Sequence, residues 1–279
     1  MKKQYLVATG SILLIGLLFF FGKTKKPASS MGQTSNIASG SISFEEYEMQ
    51  KADKLVSTDK KNWEDLHSIY KETKESDTAN YLKICSDLSL FWKSQQNGSL
   101  YAYYNYQRQT SVNTAKSWMD AGDVLLSVYK NNPDSLISNN LLTFALRSLE
   151  NASAKDPQNI SLKIQIAEIY VQTAEPMKGI TMLRTLGDSL PDNMDVQMSL
   201  ARLSIQSGQL EKAKERLQKI LQHQPQNTEA LYFMAITEAQ MGHTDEAVRL
   251  LELCKTLVNN DEFSNEINNL IQEIKNKKV

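Results

Sequence analysis

From Ser43 onward, apolar residues recur three and four positions apart in nearly every segment, which is the period of an amphipathic helix and not of a strand. Ser43-Phe44-Glu45-Glu46 has the order of a capping box and predicts the start of the first helix. Residues 45–73 read as an opening helix pair. Residues 78–109 read as a second pair, with Leu88, Trp92, Ala102 and Tyr106 on apolar faces. A third pair is displaced. Its first helix runs over about 114–130 with Trp118, Ala121, Gly122 and Leu125, its second over 135–157 with Ala145, Leu149 and Ala152, and an insertion lies near Asn131-Asn132-Pro133. At the far end, from about 261 to 277, Phe263, Ile267, Leu270, Ile271 and Ile274 share one face while Asn, Glu and Lys fill the other. That pattern predicts a helix that caps a stack with its polar side outward.

Between these ends the sequence repeats itself. Ala167, Ala201 and Ala235 stand 34 residues apart, as do Pro157, Pro191 and Pro225. Gly179, Ala213 and Ala247 keep the same step, and so do Leu183, Leu217 and Leu251; Gly208 and Gly242 form a further column. Each column has a physical reading. Small residues let two antiparallel helices approach, Gly ends the first helix where a left-handed residue is needed, and Pro ends the unit. A period of 34 with these columns resembles the tetratricopeptide repeat family, over residues 160–193, 194–227 and 228–261. The resemblance implies an all-α fold, a right-handed solenoid of antiparallel helix pairs, with three clear repeats over 158–261, divergent repeats over 44–157 and a capping helix over 262–279. The family's Tyr column is Ser204 and Glu238 in the later repeats, and Ala174-Glu175-Pro176 stands where the first repeat's turn Gly is expected.

The family binds peptides on the concave face lined by its first helices. Here that face is expected to carry Glu168, Met198, Arg202, Gln206, Tyr232 and Ile236, beside Gln165, Gln172, Ile205, Phe233 and Gln240. The mixture of apolar groups with one Arg and one Glu suits an extended or helical peptide better than a small polar ligand, and Arg202 and Tyr232 are the residue types that dominate binding energies. Met198, Ile205 and Phe233 have a second reading as packing between repeats. Some family members clamp a C-terminal carboxylate with Lys and Asn, but the matching positions here are Ile164 and Glu168, Met198 and Arg202, Tyr232 and Ile236. A carboxylate clamp is not expected.

Composition narrows the picture further. The formal net charge of −1 gives no general attraction to nucleic acid. The tyrosine cluster at 101, 103, 104 and 106 would need interleaved cations to bind single strands, and only Arg108 is close. Helical spacing puts Tyr101 and Tyr104 on one face and Tyr103 and Tyr106 on another, one of them expected in the core and the other exposed. His67, His223 and His243 lack metal-ligand spacing, and the chain has no phosphate loop or nucleophile elbow. Glu45, Glu46 and Glu48 read as a charged helix surface. Cys85 and Cys254 lie on apolar helix faces as small hydrophobes and form no disulfide framework. The expectation is a protein without catalytic residues, cofactor, metal or small-molecule substrate, whose partners are other proteins. A hidden enzyme within 44–157 is the opposing reading.

The amino-terminal stretch differs from all the rest. Leu6 to Phe21 carries no charge, and with Tyr5 and Gly22 it reaches about 18 residues, enough to span a bilayer core. Lys2 and Lys3 precede it and Lys23, Lys25 and Lys26 follow, which predicts an uncleaved transmembrane anchor over 1–22. Residues 23–43 are rich in Ser, Gly and Thr and read as a flexible tether with a reach of roughly 25 Å. A short tail before a large domain predicts an exported, periplasmic domain on a bacterial inner membrane. Cleavage near Ala28, releasing a soluble exported carrier, is the alternative.

Overall fold

Helix boundaries in this chain follow from side chains that close backbone hydrogen bonds. Ser43 accepts from the Glu46 backbone N–H at 3.1 Å while the Glu46 carboxylate accepts from the Ser43 N–H at 2.9 Å, so the expected capping box is present. Asn159, Asn193 and Asn227, themselves 34 apart, each cap a first helix by accepting from the N–H three residues on, at 2.9–3.0 Å. Gly208 and Gly242 adopt φ of 72° and 87°, and beyond them Gln209 N–H donates to the Ser204 carbonyl and His243 N–H to the Glu238 carbonyl, each at 2.8 Å. These 6→1 bonds are Schellman closures, and they need a left-handed residue at the glycine.

The structure is a computed structural model that describes residues 42–73, 76–131, 136–173 and 175–276. The described residues are helical, without strands. In order they form α1 (Phe44–Ala52), α2 (Ser57–Glu72), α3 (Thr78–Ser94), α4 (Gly98–Val112), α5 (Ala115–Asn131), α6 (Ser138–Lys155), α7 (Ile160–Val171), α8 (Pro176–Ser189), α9 (Met194–Gln206), α10 (Leu210–His223), α11 (Thr228–Gln240), α12 (Thr244–Val258) and α13 (Asp261–Asn276). The anchor and tether expected over 1–41 lie outside the described residues, as does most of the expected insertion. Among the described residues no helix is long and apolar enough to cross a membrane.

Two compact units divide inside α7, one within Gly32–Ile169 and the other within Tyr170–Val279. In the first, α2 packs on α3, α3 on α4, α4 on α5 and α5 on α6, with α1 laid against α4. Gly122 permits a close approach of α5 and α6, since a Cβ on it would stand 2.7 Å from Leu149 Cδ2. In the second, each helix from α8 to α13 packs on its neighbour, and α9 also touches α11. Ala201, Ala213, Ala235 and Ala247 are fully buried with Leu217 and Leu251 around them. Gly179 and Leu183 are buried on α8.

Two expectations about the first unit need correction. Glu48 is not part of a charged surface; it is buried at 2% exposure, although it is acidic and sits in a nine-residue helix. The tyrosines do not divide into a core face and a free face. Tyr104 and Tyr106 are buried, Tyr101 and Tyr103 are half-buried, and Tyr103 stacks on Phe44 with ring centroids 4.4 Å apart. The reason is that α4 meets α1, α3, α5 and α6, so little of its circumference is left to solvent.

Candidate functional site

The first-helix face of the second unit is built by α9 and α11 with α13 after them. Met198, Tyr232 and Ile236, expected to line an open groove, are 6%, 5% and 3% exposed and belong to one core cluster with Phe263, Ile267, Ile271 and Ile274 of α13. The second reading given to Met198, Ile205 and Phe233, packing between repeats, is the arrangement seen, and it extends to Tyr232 and Ile236. Burial together with the neighbouring Cys254, Glu266 and Glu273 pushes the Tyr232 hydroxyl up to about 12. Arg202 reaches the surface, its side chain 24% exposed. It donates to Glu229 at 3.0 Å and to Ser199 Oγ at 3.1 Å, and its guanidinium lies 6.0 Å from the Phe233 ring centre. Gln206 and Gln240 are exposed at the ends of α9 and α11. Glu168 is half-buried on α7 in the first unit. The accessible part of the face in the second unit is therefore polar, with Arg202 and Gln206 as its expected members.

A groove that sequence reasoning missed lies on the second-helix side. It encloses about 580 Å³ between α10 and α12 over a floor of Leu231, Met234 and Leu250, with Lys214, His243 and Arg249 on its walls. Glu238, which replaces the family's Tyr, is buried there. Its Oε1 accepts from Lys214 Nζ at 2.8 Å and its Oε2 lies 2.6 Å from His243 Nδ1. Burial pushes the carboxyl up, but the Lys214 and His243 contacts outweigh it and hold it below the usual glutamate value. The signal was legible in retrospect: an acid in an aromatic column, with a lysine on the preceding helix and a histidine at the turn. Ser204 in the same column is buried too, donating to the Leu200 carbonyl at 2.8 Å and accepting from Arg216 at 3.1 Å.

In the first unit, polar chemistry gathers at Glu48. Its Oε1 accepts from the indole N–H groups of Trp63 and Trp92, both at 2.9 Å, and its Oε2 accepts from the Tyr104 hydroxyl at 2.7 Å. Among the described residues no group of three or more His, Cys, Asp or Glu side chains is placed to hold a metal ion. Cys85 and Cys254 are free thiols and fully buried, and burial raises the Cys254 thiol to about 12.

Residues 204–260, which hold the end of α9 with α10, α11 and α12, match the family described as tetratricopeptide repeat. No curated protein matches the chain. Similar solved structures include PilW, described as a widely conserved type IV pilus biogenesis factor (14% identity, 70% of this chain and 91% of that chain, TM-score 0.46). They also include the MamA protein (15% identity, 63% and 91%, TM-score 0.43) and YrrB, described as a TPR protein with an unusual peptide-binding site (14% identity, 73% and 97%, TM-score 0.42).

Proposed function

We propose that this chain is a non-catalytic, membrane-tethered scaffold that holds peptide segments of partner proteins on the first-helix face of its C-terminal repeats. The observation that carries this reading is the repeat itself: three units of 34 residues in the sequence, with Ala201, Ala213, Ala235 and Ala247 buried where the helices of the last two touch, and Arg202, Gln206 and Gln240 outward along their first helices. A solenoid of this kind presents extended surface without a closed active-site cavity. With Met198, Tyr232 and Ile236 committed to the core, Arg202 and Gln206 make the contacts, and a partner that offers a carboxylate or carbonyls to the guanidinium fits that chemistry. The run Leu6–Phe21 and its flanking lysines support a tether, and the short tail before a large domain supports repeats on the exported side of a bacterial inner membrane.

The test is affinity capture with crosslinking from native membranes, comparing the full chain with Arg202→Gln/Gln206→Ala. Both residues are partly or fully exposed, so the folded protein is expected to keep its melting temperature while the captured partner is lost. Equal capture by both proteins would remove this face from the reading. Alkaline extraction tests the tether separately: the full chain stays with the membrane pellet and a chain starting at residue 42 does not.

A further inference from the structure

The Glu48 cluster contains a histidine that neither the fold nor the proposed function uses. His67, on α2, places Nδ1 3.6 Å from Glu48 Oε2, beyond hydrogen-bond reach. Both of its ring nitrogens are buried without a hydrogen-bond partner, and the side chain is only 12% exposed. Its ring lies against Trp63, with centroids 4.9 Å apart, and near Tyr70 at 6.4 Å. The carboxylate it faces is already occupied by donors from three helices: Trp63 of α2, Trp92 of α3 and Tyr104 of α4. Glu48 is thus the polar point where α1 is fastened to the rest of the unit, beside the stack of Phe44 on Tyr103. Nine residues do not hold a helix alone in water, so the seating of α1 depends on such contacts.

We propose that this cluster is an acid-sensitive latch, in which protonation of His67 beside the Glu48 carboxylate releases the α1–α2 hairpin from α3 and α4. An imidazolium in this place carries two N–H donors: the acceptor site left on Glu48 Oε2 can take Nδ1–H only if the ring moves closer, and Nε2–H, buried without a partner, finds an acceptor only in water, which it reaches when the hairpin lifts. The other charged and titratable groups around it do not remove that requirement. Glu45 and Glu48 face it from α1, Lys71 and Tyr70 flank it on α2, Tyr81 lies behind Tyr70 on α3, and Tyr103 and Tyr104 close the side toward α4. Burial is the largest influence and lowers the basicity of His67; Glu48 and Glu45 raise it, Lys71 lowers it, and the balance falls below the ordinary 6.5. A group whose folded value is lowered binds its proton more readily when released. The latch is therefore fully closed above about 6.5 and weakens as pH falls below it, by up to about tenfold in the opening equilibrium for each unit by which the folded value is lowered.

The experiment is hydrogen–deuterium exchange of the full chain between about pH 8 and about pH 5, the span in which histidine changes charge, with rates corrected for intrinsic exchange. Faster opening is expected over 44–72, with little change in α5 and α6, accompanied by a red shift of tryptophan emission. His67→Phe keeps a flat ring against Trp63 and is expected to remove the acid response while leaving the neutral-pH spectrum in place. An acid response equal in wild type and His67→Phe overturns the proposal, since Glu48 or another carboxyl would then be responsible. Should His67→Phe fail to fold, proton NMR of His223→Gln/His243→Gln, where His67 is the remaining imidazole, decides instead. A midpoint below that of an exposed histidine supports the latch, and one at or above it overturns it.

Discussion

Glu48 and Glu238 are both acids on otherwise apolar surfaces, and both are buried because the surrounding residues supply donors at the right distance. The hydrophobic pattern cannot reveal this. Trp and Tyr count as apolar in a helical stripe, yet each carries one N–H or O–H that must find an acceptor when buried. Removing the Glu48 acceptor strands three donors, so Glu48→Ala is expected to destabilise the first unit by about 2–4 kcal/mol. Glu48→Gln, which keeps one oxygen acceptor, should cost about half as much. Urea unfolding followed by the emission of Trp63, Trp92 and Trp118 measures both, and equal midpoints for Glu48→Ala and wild type would show that the three hydrogen bonds contribute nothing net. Glu238 makes a prediction of opposite form. Its folded value is depressed, so its contribution to stability is complete above the ordinary 4.5 and is lost as pH falls through the lower folded value. Glu238→Gln is expected to flatten the acid limb of a Tm-versus-pH curve for the second unit. A limb as steep as that of wild type would reassign the acid sensitivity to other carboxyls.

At the level of elements, what the chain announces is what its backbone requires. Gly208 and Gly242 were legible as helix ends because few other residues adopt φ near 80° cheaply, and the small columns were legible because helix contact leaves no space for a longer side chain. The asparagine caps at 159, 193 and 227 were harder to read, since asparagine also favours turns and its role as a cap depends on the helix that follows. Gln96 shows the same closure without glycine. It holds φ of 55° at the end of α3, and the next residue's N–H donates to the Trp92 carbonyl at 2.9 Å. Gln96→Gly is therefore expected to stabilise the first unit by about 1 kcal/mol, while Gly208→Ala costs about 1–2 kcal/mol, although a Cβ there would meet nothing within 4 Å. Thermal melts of the two variants should move in opposite directions. Ala201→Leu or Ala235→Leu adds bulk to a fully buried contact and should cost about 1–3 kcal/mol, and an unchanged melt would put the helix contact elsewhere.

On the scale of the whole molecule, the architecture was more legible than the exposure of the first-helix face, for a physical reason. Period and small-residue columns report contacts between helices of one unit, whereas exposure at a given first-helix position depends on what the following helix covers. Met198, Tyr232 and Ile236 occupy groove positions by register but lose their exposure in a cluster that includes four large residues of α13. That makes α13 more than a solubilising end. Phe263, Ile267, Ile271 and Ile274 are each at most 5% exposed, and burying a side chain of this size is worth about 1.5–3 kcal/mol. Ordering the helix opposes much of that gain, so the expected net loss on deleting residues 261–279 is a few kcal/mol, with newly exposed apolar surface on α11 and α12. Thiol labelling gives the local measure. Cys254 shares the cluster with α13, and its thiol, raised to about 12 and fully buried, should react very slowly in the intact chain, as should the buried Cys85. In the truncated chain one thiol is expected to become fast, and Cys254→Ser should abolish that fast phase. If both thiols stay slow after truncation, α11 and α12 close over their own core, and the burial of Tyr232 and Ile236 does not depend on α13.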